Sequence, residues 1–147
     1  MSLKHRLTEA MKDAMRAKDS ERLGVIRMAL AAFKQIEVDE RVEVDEARGL
    51  AIMEKLVKQR RESANAYEHA GRDDLAQREI LEISVLQAFL PTPLTAAELE
   101  SSVSAALAVA GATSARDMGK VMNLIRPMVA GRADVGALSQ QVKARLS

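Results

Sequence analysis

Apolar residues recur along this chain at spacings of three and four, the pattern of helices with one buried side. Leu3, Leu7, Met11 and Met15 form the first stripe, with Ala10 and Ala14 beside it. Asp19 or Ser20 supplies a cap for a second helix. Leu23, Ile26, Leu30 and Phe33 line one side of that helix, and Val25, Ala29, Ala32 and Ile36 line another. Two apolar sides predict a central helix covered on two faces. The stretch from Glu37 to Glu46 alternates only partly and has no partner strand, so it reads as a loop. A third, long helix is expected from about Ala47 to Ala70, stopped at Gly71. A cap at Asp73 opens a fourth, with Ala76, Ile80, Ile83 and Leu90 inward and Leu81 and Val85 widening its apolar face.

The clearest break is Leu90-Pro91-Thr92-Pro93-Leu94. Two prolines cannot continue a helix, and each biases its predecessor towards extended geometry. Beyond it, Thr95 and Glu98 have capping-box spacing, so that each side chain satisfies an orphan backbone donor of the other. Leu99, Val103, Ala106 and Ala110 follow, with a stop at Gly111. Ser114 and Asp117 repeat a capping-type start ahead of Met118, Val121, Met122, Ile125 and Val129, which end at Gly131. Asp134 caps a last helix whose Val135, Leu138, Val142 and Leu146 share a face. The predicted architecture is all-α: an N-terminal four-helix domain over 1–90, a Pro-containing linker at 91–94 and a three-helix tail domain over 95–147.

Composition narrows the chemistry. The 147 residues carry 22 basic and 21 acidic side chains, a net charge of +1. A dedicated nucleic-acid binder shows a basic excess, so any polyanion role must come from local patches. No cysteine is present, which excludes disulfides, thiolate metal sites and a cysteine nucleophile. His5 and His69 are far apart, and the acidic connector lacks the glycine and closing bidentate Glu of a calcium loop. The stretch Gly111 to Lys120 resembles a phosphate loop at a glance. Its glycines are too widely spaced, however, and Val121 stands where a Ser or Thr must reach magnesium. There is no Gly-x-Ser-x-Gly elbow. No catalytic residue, metal or cofactor is therefore expected. The N-terminus has no signal-peptide apolar region, and no apolar run reaches the ~20 residues of a membrane span. The expectation is a cytoplasmic protein without a membrane partner.

The only aromatics are Phe33, Tyr67 and Phe89, which argues against gripping single strands by base stacking. Basic side chains are the remaining feature. Lys55, Lys58, Arg60 and Arg61 cluster in the third helix, but helical geometry divides them. Lys58 and Arg61 share a face and Arg60 falls near the apolar stripe, so this reads as a charged surface balanced by Glu54 and Glu62. The tail is different. It holds Arg116, Lys120, Arg126, Arg132, Lys143 and Arg145 against Glu98, Glu100, Asp117 and Asp134. Arg116, Lys120 and Asn123 fall on one helical face, and the turn from Gly131 to Asp134 presents the N-terminus of the last helix, whose N–H groups favour an anion.

Several segments together resemble the GatB/YqeY family. They are Val25-Ile26-Arg27-Met28, Ile36 to Arg41, Lys58-Gln59-Arg60-Arg61, Gly71 to Ala76, Leu86 to Pro93, Met118 to Met122 and Gly131-Arg132-Ala133-Asp134. The resemblance covers essentially the whole chain and points to a stand-alone YqeY-like protein. It implies helical and tail domains like those of the B subunit of the glutamine-dependent tRNA amidotransferase, whose tail contacts tRNA. That enzyme's catalytic domain has no counterpart here. By resemblance, a tRNA-facing role falls on Lys120 and Arg132, with Lys143 next; charge balance adds Arg126 and Arg116. The leading expectation is an accessory module that binds tRNA or another folded RNA through phosphate contacts, beside an amidotransferase or an aminoacyl-tRNA synthetase. Two rivals stand with it. One is a component supporting carbon–nitrogen ligase activity, with glutamine as amide donor, when catalytic partners are present; the other is a protein–protein adaptor.

Overall fold

The computed structural model describes all residues from Met1 to Ser147. The fold is all-α: α1 (Leu3–Arg16), α2 (Ser20–Glu40), α3 (Glu46–His69), α4 (Asp73–Gln87), α5 (Ala96–Ala110), a single 3-10 turn (Ala115–Asp117), α6 (Met118–Val129) and α7 (Val135–Leu146). None of these helices is long and apolar enough to cross a membrane. The chain divides into two compact units, Met1–Pro91 and Thr92–Ser147.

In the first unit, short polar side chains start the helices. Ser2, Asp19 and Asp45 cap α1, α2 and α3 by accepting the N–H groups of His5, Arg22 and Arg48. Gly71, at φ 72°, ends α3 in the left-handed conformation that glycine adopts without strain. The core gathers Leu3, Leu7, Ile26, Phe33, Met53, Val57, Leu86 and Phe89. Burying a side chain such as Phe33, 1% exposed, contributes about 1.5–3 kcal/mol. Gly49 has a packing reason to lack a side chain: a Cβ there would lie 3.2 Å from the Phe33 ring and 3.3 Å from Leu3.

Four local expectations change. The stretch read as a loop from Glu37 begins as helix, since α2 runs on to Glu40 and is closed by Arg41 at φ 53°. Glu37 explains the extension. Its carboxylate accepts hydrogen bonds from Lys4 Nζ at 2.8 Å and from the Val44 N–H at 3.2 Å, tying α2 to α1 and to the turn. These bonds, the Lys4 one first, hold the Glu37 carboxyl below its ordinary pKa. On α1 the buried stripe is Leu3, Leu7, Ala10 and Ala14, with Met11 partly buried against the core, while Met15 is half exposed. On α4, Ile80 and Leu81 are exposed, and Leu86 and, just beyond the helix, Phe89 take the inward positions. Asp73 is the first residue of α4 rather than its cap. Arg72 holds the cap position without a side-chain bond and pairs with Asp74 instead.

The second unit has its own core: Val103, Ala106, Ala110, Val121, Met122, Ile125, Val129, Leu138, Val142 and Leu146. Thr95 and Glu98 form the reciprocal capping box. Thr92 to Leu94 of the Pro-containing segment are fastened inside this unit, where the Leu94 N–H donates to the Arg132 carbonyl at 2.8 Å and Arg132 Nε donates to the Thr92 carbonyl at 2.8 Å. Leu94 also packs on the core.

Candidate nucleic-acid interface

The acidic side chains of the second unit determine what its basic ones can do. Glu98 accepts the Thr95 N–H, Asp117 accepts the N–H groups of Thr113 and Ser114 at 3.0 and 3.3 Å, and Asp134 accepts the Ala137 N–H at 3.0 Å. Three of the unit's four carboxylates are thus turned into the backbone at helix starts. Those bonds favour the ionised form, and the pKa values of Glu98 and Asp117 are lowered, chiefly by the N–H of Thr95 and of Thr113 respectively.

The six basic side chains separate into two groups. Arg132 is half-buried and engaged, with Nε on the Thr92 carbonyl and a terminal nitrogen 3.8 Å from Glu98. Arg145 donates to the Ser104 hydroxyl on α5 at 3.1 Å. Arg116, Lys120, Arg126 and Lys143 are exposed and form no ion pair closer than 4 Å, although Lys120 lies within the field of Asp117. Arg116 and Lys120 occupy the outward side of the 3-10 turn and α6, opposite Val121, Ile125 and Val129. On α7, Lys143 and Arg145 flank the buried Leu138, Val142 and Leu146 on opposite sides, so the Arg145–Ser104 bond takes Arg145 away from Lys143.

The structure therefore does not unite all six on one face. The expected anion position at the start of α7 is also filled from within, by the Asp134 carboxylate. It caps the helix and lies 3.1 Å from where a Gly136 Cβ would be. Of the tail methionines, Met122 is buried, Met118 half-buried and Met128 exposed. Pro127, within α6, removes the hydrogen bond its N–H would have given to the Asn123 carbonyl on the exposed side.

In the first unit, sequence reasoning left one arrangement unresolved. Arg60 is the one buried charged residue, and its guanidinium meets Glu82 at 3.1 Å, the Leu56 carbonyl at 3.0 Å and the Met28 sulfur at 2.7 Å. Its spacing from Val57 and Ala64 places it on the buried stripe. Nothing along the chain marks Glu82, on another helix, as its partner. Lys55, Lys58 and Arg61 are exposed. The basic cluster is thus one structural arginine and three surface cations.

The profile of the YqeY-like protein family matches residues 4–146, and the chain belongs to that family. It is similar to the protein named altered inheritance of mitochondria protein 41, mitochondrial, from Eremothecium gossypii. The two are 42% identical over 94 residues, which cover 63% of this chain and 51% of that protein. The protein of the same name from Vanderwaltozyma polyspora is 35% identical over 85 residues, 57% of this chain and 46% of that protein. The matched segment spans about half the length of these relatives. Their names correct the cytoplasmic expectation, since both are mitochondrial. That expectation rested on missing signal-peptide and membrane-span patterns. Neither bears on a mitochondrial address, whose targeting segments are amphipathic and arginine-rich.

Proposed function

We propose that the chain is an accessory module for tRNA or another folded RNA, docking on phosphates through the outward cations of its second unit. The observation that carries this reading is that Glu98, Asp117 and Asp134 accept helix-start N–H groups, while Arg116, Arg126 and Lys143 are exposed without a carboxylate partner. The unit carries six basic against four acidic side chains. Gly119 adds support: nothing lies within 4 Å of where its Cβ would be, so backbone beside Lys120 is open to close approach. The resemblance to the amidotransferase tail supports the same choice of ligand. Arg132 belongs to this reading as the residue that fastens the Pro-rich segment, and Arg145 as a tie to α5.

The test is a titration of tRNA with the full chain at several salt concentrations. Binding should weaken as salt rises, with a log–log slope of about one per phosphate contact. Replacing Arg116, Lys120, Arg126 and Lys143 together by Ala should reduce that slope by roughly four. Absence of binding at low salt, or a slope unchanged by the four substitutions, ends the proposal.

A further inference from the structure

Between α2 and α4 the first unit carries a surface groove of about 440 Å³. Gly24 and Val25 contribute the α2 wall, Leu81 and Val85 the α4 wall, and Arg22 and Arg78 stand at the rim. Leu81 is 45% exposed, and Met28, one turn beyond Gly24, is 37% exposed. Gly24–Met28 and Leu81–Val85 are both i, i+4 pairs, so two helical ridges border a groove whose lining mixes Val25, Leu81 and Val85 with charged side chains. Two such ridges are what a third helix packs against.

Gly24 is the observation that raises this above an uncovered apolar strip. It sits inside α2 in ordinary helical conformation, where glycine weakens a helix relative to alanine. The fold gives it no reason to be there, since nothing lies within 4 Å of its Cβ position. Gly49 on α3 is the contrast, its Cβ position being filled by Phe33 and Leu3. A missing side chain facing an open groove admits another backbone.

The charges indicate what kind of backbone. Two of the carboxylates lining the groove are already used, Asp19 by the Arg22 N–H and Glu82 by Arg60. The guanidinium of Arg22 lies over the Phe89 ring at 6.0 Å and meets no carboxylate, and Arg78 has no ion pair. Glu21 is the remaining acid, in the first turn of α2. We infer that this groove binds a partner helix whose apolar seam lies on Gly24 and Leu81 and whose flanking carboxylates pair with Arg22 and Arg78. This site is independent of the RNA reading, which concerns the other unit.

The probe is a fluorescein-labelled peptide of roughly 18 residues, long enough to hold helical structure. It carries leucine at its seam positions and glutamate on the flanks, and is titrated against the full chain by anisotropy. Binding should saturate, and the same peptide with lysine flanks should bind about tenfold or more weakly. Gly24→Gln fills the groove without backbone strain. It should leave the melting temperature unchanged or raised and weaken the glutamate peptide about tenfold or more. Arg78→Glu should reverse the preference between the two peptides. Equal affinity for both peptides, or an unchanged affinity in Gly24→Gln, overturns the inference. Self-association of the chain by sedimentation, abolished by Gly24→Gln, would also overturn it, by assigning the groove to a second copy.

Discussion

The two units differ in what becomes of their cations. In Met1–Pro91 cations are drawn into structure: Arg60 is buried on Glu82, and Lys4 holds Glu37. In Thr92–Ser147 no cation is buried: the acids Glu98, Asp117 and Asp134 serve helix starts, as Asp19 and Asp45 do in the first unit, and Arg116, Arg126 and Lys143 are exposed without an ion pair. A net charge of +1 averages over this difference. Whether a region can attract a polyanion depends on which cations the fold leaves exposed and unpaired. The whole-chain balance does not decide it.

The sharpest way to break the comparison is at the two engaged arginines. Arg60→Met leaves Glu82 without its partner in a largely buried setting and should lower stability by about 2–3 kcal/mol in urea unfolding. A double change with Glu82→Leu should recover much of it. A loss below about 0.5 kcal/mol for Arg60→Met, the scale of an ordinary surface change, would show the pair to be incidental. Next comes Gly49→Ala, which pushes a methyl into two neighbours themselves 1–2% exposed and should cost about 1–2 kcal/mol. Arg132→Met should cost less, about 1 kcal/mol, because its partners are half in water. Its effect should appear as faster amide exchange at Leu94. Gly24→Ala should have the opposite sign, a gain of about 0.5–1 kcal/mol, as expected of an open helical site.

The smallest expected effect is set by pH. The folded-state pKa of Glu37 lies below its ordinary value of 4.5. Its contribution is therefore present above pH 4.5 and fades as pH falls through the folded value. Protection of the Val44 amide from exchange should decrease over that window and should be insensitive to it in Glu37→Gln. A pH-independent Val44 in the unaltered chain would remove Glu37 as the anchor of the turn.

Much of this fold was legible in the order of residues, because helix spacing, caps and stops are local. The starts at Asp19, Thr95 and Asp134 and the stops at Gly71 and Gly111 follow from short-range chemistry. The all-α class follows from the same periodicity. The errors at Met15, Ile80 and Glu37 share one cause. Met15 and Ile80 lie at positions that periodicity marks as inward, yet tertiary neighbours chose Ala14 and Leu86 instead. Glu37 looked like loop because its reason for staying helical, Lys4, is 33 residues away.

The candidate sites divide in the same manner. Sequence alone determined which residues could be cationic, that Asp19, Glu98 and Asp134 could serve helix starts, and that Arg60 falls near an apolar stripe. Only the tertiary structure decided that Arg60 meets Glu82, that Arg132 fastens Thr92 while Lys143 stays free, and that Gly24 opens on a groove while Gly49 closes on Phe33. The physical reason is range. Backbone hydrogen bonds within a helix and its caps reach only a few residues along the chain, whereas the choice of a charge partner or packing neighbour depends on which distant helices the burial of apolar surface brings together.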